Sequence, residues 1–168
     1  MLFDLSRPKV AMAFSTAPLT ASTLAASAWI AMAFPPATSI ALTTAEAALK
    51  HMNEGGRIIM IGSAVGERAV APGLVPYAAT KGAVKMFTQA LSREIGTRGI
   101  TVNNVQPGPI DTDLNPASGD WAIPQKAATA LNRYGHIDEV AALVAFVASP
   151  DSSYITGANL TVDGGMNA

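Results

Sequence analysis

Three residues in one short stretch carry the most suggestive chemistry in the chain. They are Ser63, Tyr77 and Lys81, in the run IIMIGSAVGERAVAPGLVPYAATK from Ile58 to Lys81. Tyr77 stands four residues before Lys81. On a helix, residues four apart share a face, with Cβ atoms about 5–6 Å apart, so both side chains can point into one site. A free phenol keeps its proton up to about pH 10, too high for ready exchange at neutral pH. An ammonium one turn away favours the phenolate, which would make Tyr77 a general acid/base. Ser63, at the end of an apolar run, could hydrogen-bond a carbonyl or hydroxyl and hold it against the phenol. Singly, each residue has an ordinary use as helix-start aromatic, surface lysine or turn serine. The combination is what points to a proton-transfer site.

The elements around these residues must bring them together. Ile58–Ile61 is an apolar run without alternation, which suits a strand buried on both faces. It follows a helix expected over about Ser39 to Met52, with Ile40, Ala41, Ala45, Ala48, Leu49 and Met52 as its stripe, stopped by Asn53-Glu54-Gly55-Gly56. The loop from Ala64 to Pro76 leads to a long helix over about Tyr77 to Thr97. There Val84, Phe87, Leu91 and Ile95 share one face, and Gly99 sits where a left-handed cap would be. Ile100–Val105 is β-branched and reads as a strand, ended by an irregular Pro107-Gly108-Pro109. Residues 113–123 have loop composition with one exposed-looking aromatic, Trp121. Helices are expected over Gln125–Asn132 and Ile137–Ala148, the latter with Asp138 and Glu139 in its first turn. Asn159–Val162 reads as a last strand and Asp163-Gly164-Gly165 as its exit turn. This order implies an α/β fold with parallel strands and right-handed crossovers. Ligands bind beyond the carboxyl ends of such strands, so Ser63 and Pro107-Gly108 should meet on one rim.

Composition narrows the partners. The chain has 168 residues, enough for one domain with a real core. It carries a net charge of −1 and no basic block, which argues against nucleic acid or an anionic membrane surface as a partner. There is no cysteine, hence no disulfide or thiolate metal site, and the two histidines, His51 and His136, are not at metal-ligand spacing. They read as a helix-end and a helix-start residue. No metal is expected, and a cysteine-free chain is compatible with a reducing cytoplasm. From Val10 to Ala45 there is no charge, yet Ser15, Thr16, Pro18, Thr20, Ser22 and Thr23 interrupt the apolar run. These breaks disfavour a signal peptide or a membrane span.

Taken jointly, the motifs resemble the short-chain dehydrogenase/reductase family. Tyr77 to Lys81 matches its Tyr-x-x-x-Lys motif and Ser63 its catalytic serine. Pro107-Gly108-Pro109-Ile110-Asp111-Thr112 resembles its Pro-Gly-x-x-x-Thr segment. Ile155-Thr156-Gly157, Val162-Asp163-Gly164-Gly165 and Arg133-Tyr134-Gly135 also fit, and the wording is nearest the 3-oxoacyl-carrier-protein reductase type. The resemblance covers about Thr43 to the end. It implies an incomplete Rossmann-like, doubly wound parallel sheet in residues 43–168, with residues 1–42 an atypical Ala/Ser/Thr/Pro-rich segment. It further implies an NAD(P)-dependent oxidoreductase moving hydride between nicotinamide and a carbonyl or alcohol, in a cytoplasmic homo-oligomer. The catalytic residues would be Ser63, Tyr77 and Lys81. By resemblance, Tyr77, Lys81, Pro107, Gly108, Ile110 and Thr112 would touch NAD or NADP, with the Ile110 backbone on the carboxamide and Thr112 near the pyrophosphate.

Two departures stand out. Residues 1–54 contain no glycine, so the family's Gly-rich phosphate turn has no counterpart there, and cofactor binding is expected to be impaired. The family's fourth catalytic residue, an asparagine, would fall near Ala37, yet no asparagine precedes Asn53. The alternative is therefore a catalytically inactive, truncated or frame-shifted fragment that keeps only the oligomerisation helices. In it the strand at Ile58 would have an unpaired edge. A serine hydrolase built on Ser63 is disfavoured, because the positions two before and two after it are Ile61 and Val65 rather than glycines.

Overall fold

A computed structural model of the chain describes residues 10–12 and 36–168, with side chains from residue 42 onward. Expectations for the rest of residues 1–42, including the targeting readings, lie outside the described residues. In chain order the elements are β1 (Val10–Met12), α1 (Pro36–Leu49), β2 (Arg57–Ile61), α2 (Val75–Ile95), β3 (Thr101–Pro107), α3 (Ala122–Ala127), α4 (Ile137–Ala148) and β4 (Asn159–Val162). The strands form one parallel sheet in the order β1-β2-β3-β4. Ile58 faces Val102 across the β2–β3 pair, and Pro107 faces Val162 across β3–β4.

Side-chain alternation sends β2 and β3 residues to opposite faces. Ile58, Met60 and Val102 point to the face covered by α1 and α2, where they meet Ala45, Met52, Val84, Leu91 and Ile95. Ile59 and Val105 point to the other face, against Val147 and the partly buried Val140, Leu143 and Val144 of α4. The expected α2 stripe is thus the core-facing one, with Phe87 packed at its margin.

Several boundaries differ from expectation for physical reasons. Pro76 belongs to α2 rather than to the loop. Proline is tolerated in a first helical turn, where its missing N–H would be unpaired anyway. Pro107 ends β3 instead of opening an irregular segment, and the Gly108 amide continues the ladder to Val162 O at 3.1 Å. The short helix covers Ala122–Ala127, not Gln125–Asn132. Beyond it, Thr129 Oγ1 accepts from the Arg133 amide at 3.2 Å and turns the chain. The edge of β2 expected to be bare is paired with β1 over Arg57–Ile59. His136 starts α4: Glu139 Oε2 accepts from its amide at 2.7 Å, and His136 Nδ1 accepts from Asp138 N at 3.4 Å.

Candidate functional site

The carboxyl ends of β2 and β3 open onto a pocket of about 470 Å³ lined by Ser63, Tyr77, Pro107 and Gly108 together with apolar side chains from residues 64–74 and 109–128. Ser63 follows β2 directly. It is extended (φ −166°) and caps a single 3-10 turn, Ala64–Gly66, with Oγ accepting from Val65 N at 3.2 Å. Its 8% exposure leaves the hydroxyl just open to the pocket.

Tyr77 stands in the first turn of α2, 45% exposed. One turn on, Lys81 Nζ lies 5.8 Å from the centre of the Tyr77 ring and donates to Ile61 O at 3.1 Å. Burial pulls the Lys81 amine below its ordinary value. The ammonium is therefore held between the end of β2 and the phenol ring, an arrangement in which its field acts on the aromatic face. Gly66 allows the Ser63 turn to sit this close. A Cβ there would fall 2.9 Å from the carbonyl carbon and oxygen of Lys81. Lys85, a further turn along α2, forms an ion pair with Glu67 and ties the same loop to the helix.

The remaining residues of the expected site are divided. Ile110 lies off the main pocket, in an adjoining cleft of about 130 Å³ with Arg133, Gly135 and Glu139. It is bridged to Gly135, but the hydrogen bonds are made by its neighbours: Gly135 N donates to Pro109 O at 2.9 Å and Asp111 N to Gly135 O at 3.0 Å. The Ile110 amide and carbonyl take no part in that bridge. Thr112 lies outside both cavities, in a tight turn where its Oγ1 accepts from Asn115 N at 3.2 Å. Ala37, the position near which the family's catalytic asparagine would fall and which this chain fills with alanine, lies in the first turn of α1. Among the described residues no cluster of His, Asp and Glu could hold a metal ion.

Two parts of the pocket escaped sequence reasoning. One is the floor, where the side-chain amides of Asn115 and Gln125 bond each other twice at 3.1 Å. Tyr134 OH donates to Asn115 Oδ1 at 3.3 Å, and burial pushes the Tyr134 phenol up, so it stays a donor. The other is the chain's end. Gly108 approaches Asp163 so closely that a Cβ would lie 2.6 Å from Asp163 Cα. The Asp163 carboxylate accepts from Gly165 N at 3.0 Å and from Asn167 N at 3.1 Å. Asn167 Nδ2 then donates to Ala64 O at 2.8 Å, and Arg68 Nη2 to Met166 O at 2.7 Å. The segment after β4 thereby latches the Ser63 loop to the Pro107-Gly108 end of β3, and Met166 joins the pocket wall. Nothing local in the sequence signals contacts across 98 and 103 positions.

A profile for the family described as enoyl-(acyl carrier protein) reductase matches residues 10–167. The cyclic-di-GMP-binding biofilm dispersal mediator protein of Escherichia coli K12 is 47% identical over 121 residues, 72% of this chain and 51% of that protein. The 3-oxoacyl-[acyl-carrier-protein] reductase FabG of Vibrio harveyi is 48% identical over 115 residues, 66% of this chain and 46% of that protein. A short-chain dehydrogenase from Burkholderia cenocepacia J2315, solved in complex with NADP, superposes with a TM-score of 0.76 at 47% identity, covering 79% of this chain and 54% of that one. The chain spans about half the length of the curated relatives it matches.

Proposed function

The chain belongs to the short-chain dehydrogenase/reductase family, and from that premise we propose that it serves an NAD(P)-dependent interconversion of a carbonyl and an alcohol. The observation that carries this reading is the meeting of Ser63 and Tyr77 in one pocket, with the Lys81 ammonium against the back of the phenol. In the reducing direction the substrate oxygen sits between the Ser63 and Tyr77 hydroxyls. Ser63 donates a hydrogen bond that fixes the carbonyl, and Tyr77 gives up its proton as negative charge develops on that oxygen. Lys81 stabilises the phenolate left behind. In the oxidising direction the same phenolate takes the proton back.

The residues present fit the nicotinamide end of the cofactor. The unbridged Ile110 amide and carbonyl are a donor and an acceptor suited to a carboxamide, and Pro107-Gly108 forms the adjoining wall. A bound nicotinamide would supply or accept the hydride. The phosphate end has no glycine-rich cradle in residues 1–54, so we expect weak cofactor affinity from this chain. That the Burkholderia relative holds NADP supports a nicotinamide cofactor here, with NAD the other candidate. We further assign self-association to α1 and α2, where Met86 stands exposed on α2.

Tyr77→Phe tests the assignment. With Ser63 and Lys81 intact, removal of the phenolic oxygen should lower ketone-dependent NADPH oxidation by about 10²–10⁴-fold. The half-exposed position predicts little change in melting temperature. Full activity in Tyr77→Phe, or no NADH or NADPH binding by fluorescence titration at millimolar cofactor, would overturn the reading.

A further inference from the structure

Beside Ser63 and Tyr77, the pocket wall is mainly hydrocarbon and one indole. Val70, Leu74, Leu114, Trp121 and Met166 form it, and among the described residues no charged side chain lines the cavity. Leu114 is 96% exposed and Trp121 70% exposed, so among the described residues two large apolar groups of the pocket lining are left largely uncovered. Arg68, the cation of the adjacent loop, is not in the lining and donates to Met166 O. The polar floor is largely engaged with itself: Asn115 and Gln125 bond each other and Tyr134 bonds Asn115, which leaves one N–H on each amide. Polarity open to a ligand is therefore uncharged and comes from the Ser63–Tyr77 end and from those two amide N–H groups.

We propose that the pocket selects a neutral, compact ketone or secondary alcohol bearing a flat ring that lies against the Trp121 indole, and rejects carbonyl compounds that carry a carboxylate. The inference rests on the oxidoreductase reading for its carbonyl group, but its recognition part stands on the wall alone. A cavity of about 470 Å³ is at the lower end of the range of small-molecule sites. A carboxylate in it would lose hydration without pairing to a cation in the lining, since the nearby Lys81 ammonium stands against the Tyr77 ring and donates to Ile61 O. A planar ring offers the indole an offset-stacked or edge-to-face contact that a saturated ring cannot reproduce.

The chain has two tryptophans, so Trp29→Phe leaves Trp121 as the single indole, excited selectively over the three tyrosines at the red edge of its absorption. Acetophenone should quench its emission saturably with a midpoint of about 1 mM. Phenylglyoxylate, which adds a carboxylate beside the same ketone, should bind about tenfold more weakly, and cyclohexyl methyl ketone should also bind more weakly than acetophenone. Saturation-transfer NMR on the otherwise unaltered chain repeats the ranking without relying on Trp29→Phe. The same NMR measurement on Trp121→Ala should lose about tenfold in acetophenone affinity. Equal or tighter binding of phenylglyoxylate, or unchanged acetophenone affinity in Trp121→Ala, overturns the proposal. Acetophenone binding without any NADPH oxidation by any ketone would sink the oxidoreductase reading and leave this one standing. NADPH oxidation that favours phenylglyoxylate would do the reverse.

Discussion

Helices α2 and α4 flank the sheet on opposite faces and are both rich in apolar residues, yet they bury very different amounts. Helix α2 buries Val84, Thr88, Leu91, Ser92 and Ile95 along its length, and meets α1 as well as the sheet. Helix α4 buries Val147, holds Val140, Leu143 and Val144 at its margin, and leaves Ile137 and Phe146 exposed. The difference assigns the two helices different work. Helix α2 anchors its carboxyl-terminal half in the core and offers its first turn, with Tyr77, to the pocket, with Lys81 one turn behind. The depth of that anchor is what holds Tyr77 and Lys81 in register with Ser63. Helix α4 covers the opposite face and carries none of Ser63, Tyr77 and Lys81. Its polar contribution is the Arg133–Glu139 contact beside Ile110.

Mutation of one leucine on each helix tests the contrast most strongly. Leu91→Ala should cost about 3 kcal/mol by urea unfolding, from lost burial and an unfilled cavity. Leu143→Ala should cost about 1 kcal/mol, because it leaves a face already half open to water. Equal losses would erase the distinction between the faces. Next in size is Gly66→Ala. The new methyl meets the Lys81 backbone, so the Ser63 turn must move away from α2. We expect about 2 kcal/mol of destabilisation and a drop in turnover larger than stability explains, measured at a temperature where the variant stays folded. A variant with full turnover would show that the turn can shift without dragging Ser63.

The smallest effect belongs to the α4 side. Hydrogen bonds from Arg133 and from the His136 amide hold the Glu139 carboxyl down to about 2, below its ordinary 4.5. Its folded value lies below its unfolded one, so its stabilisation is fully present above about pH 4.5 and fades as pH falls towards 2. Glu139→Gln should lower the melting temperature slightly at neutral pH, and the gap to the parent should close as pH falls from about 4.5 towards 2. A variant profile parallel to the parent's would show that the capping contact does not count.

Legibility from sequence followed the reach of the forces involved. Ile137–Ala148 and Asn159–Val162 were read with the bounds they have, because local signals agree there: acidic residues at a helix start, then a β-branched strand closed by two glycines. Pro76 and Pro107 were misread because proline's penalty depends on position, and both stand at element ends where it vanishes. Helix α3 was shifted because Trp121 gives it no side-chain cap, so tertiary contacts decide where it begins. The pairing of β1 with β2 could not be seen at all. Val-Ala-Met is too short to carry a period, and a strand partner is chosen by the sheet. Of the pocket, the short-range Tyr77–Lys81 relation followed from helical spacing alone. The latch from Met166 and Asn167 did not, since both partners look like ordinary loop residues until the sheet brings them together.

That latch also sets an order of events at the ribosome. Arg68 and Ala64 are synthesised 98 and 103 residues ahead of the groups that clasp them. At translation rates of about 5–20 residues per second, the Ser63 loop waits roughly 5–20 s before its fastener emerges. Through that interval β2 and α2 can already dock, but the apolar cleft beside them stays open on one side. Chaperone capture during synthesis should accordingly fall away as Met166 and Asn167 clear the exit tunnel.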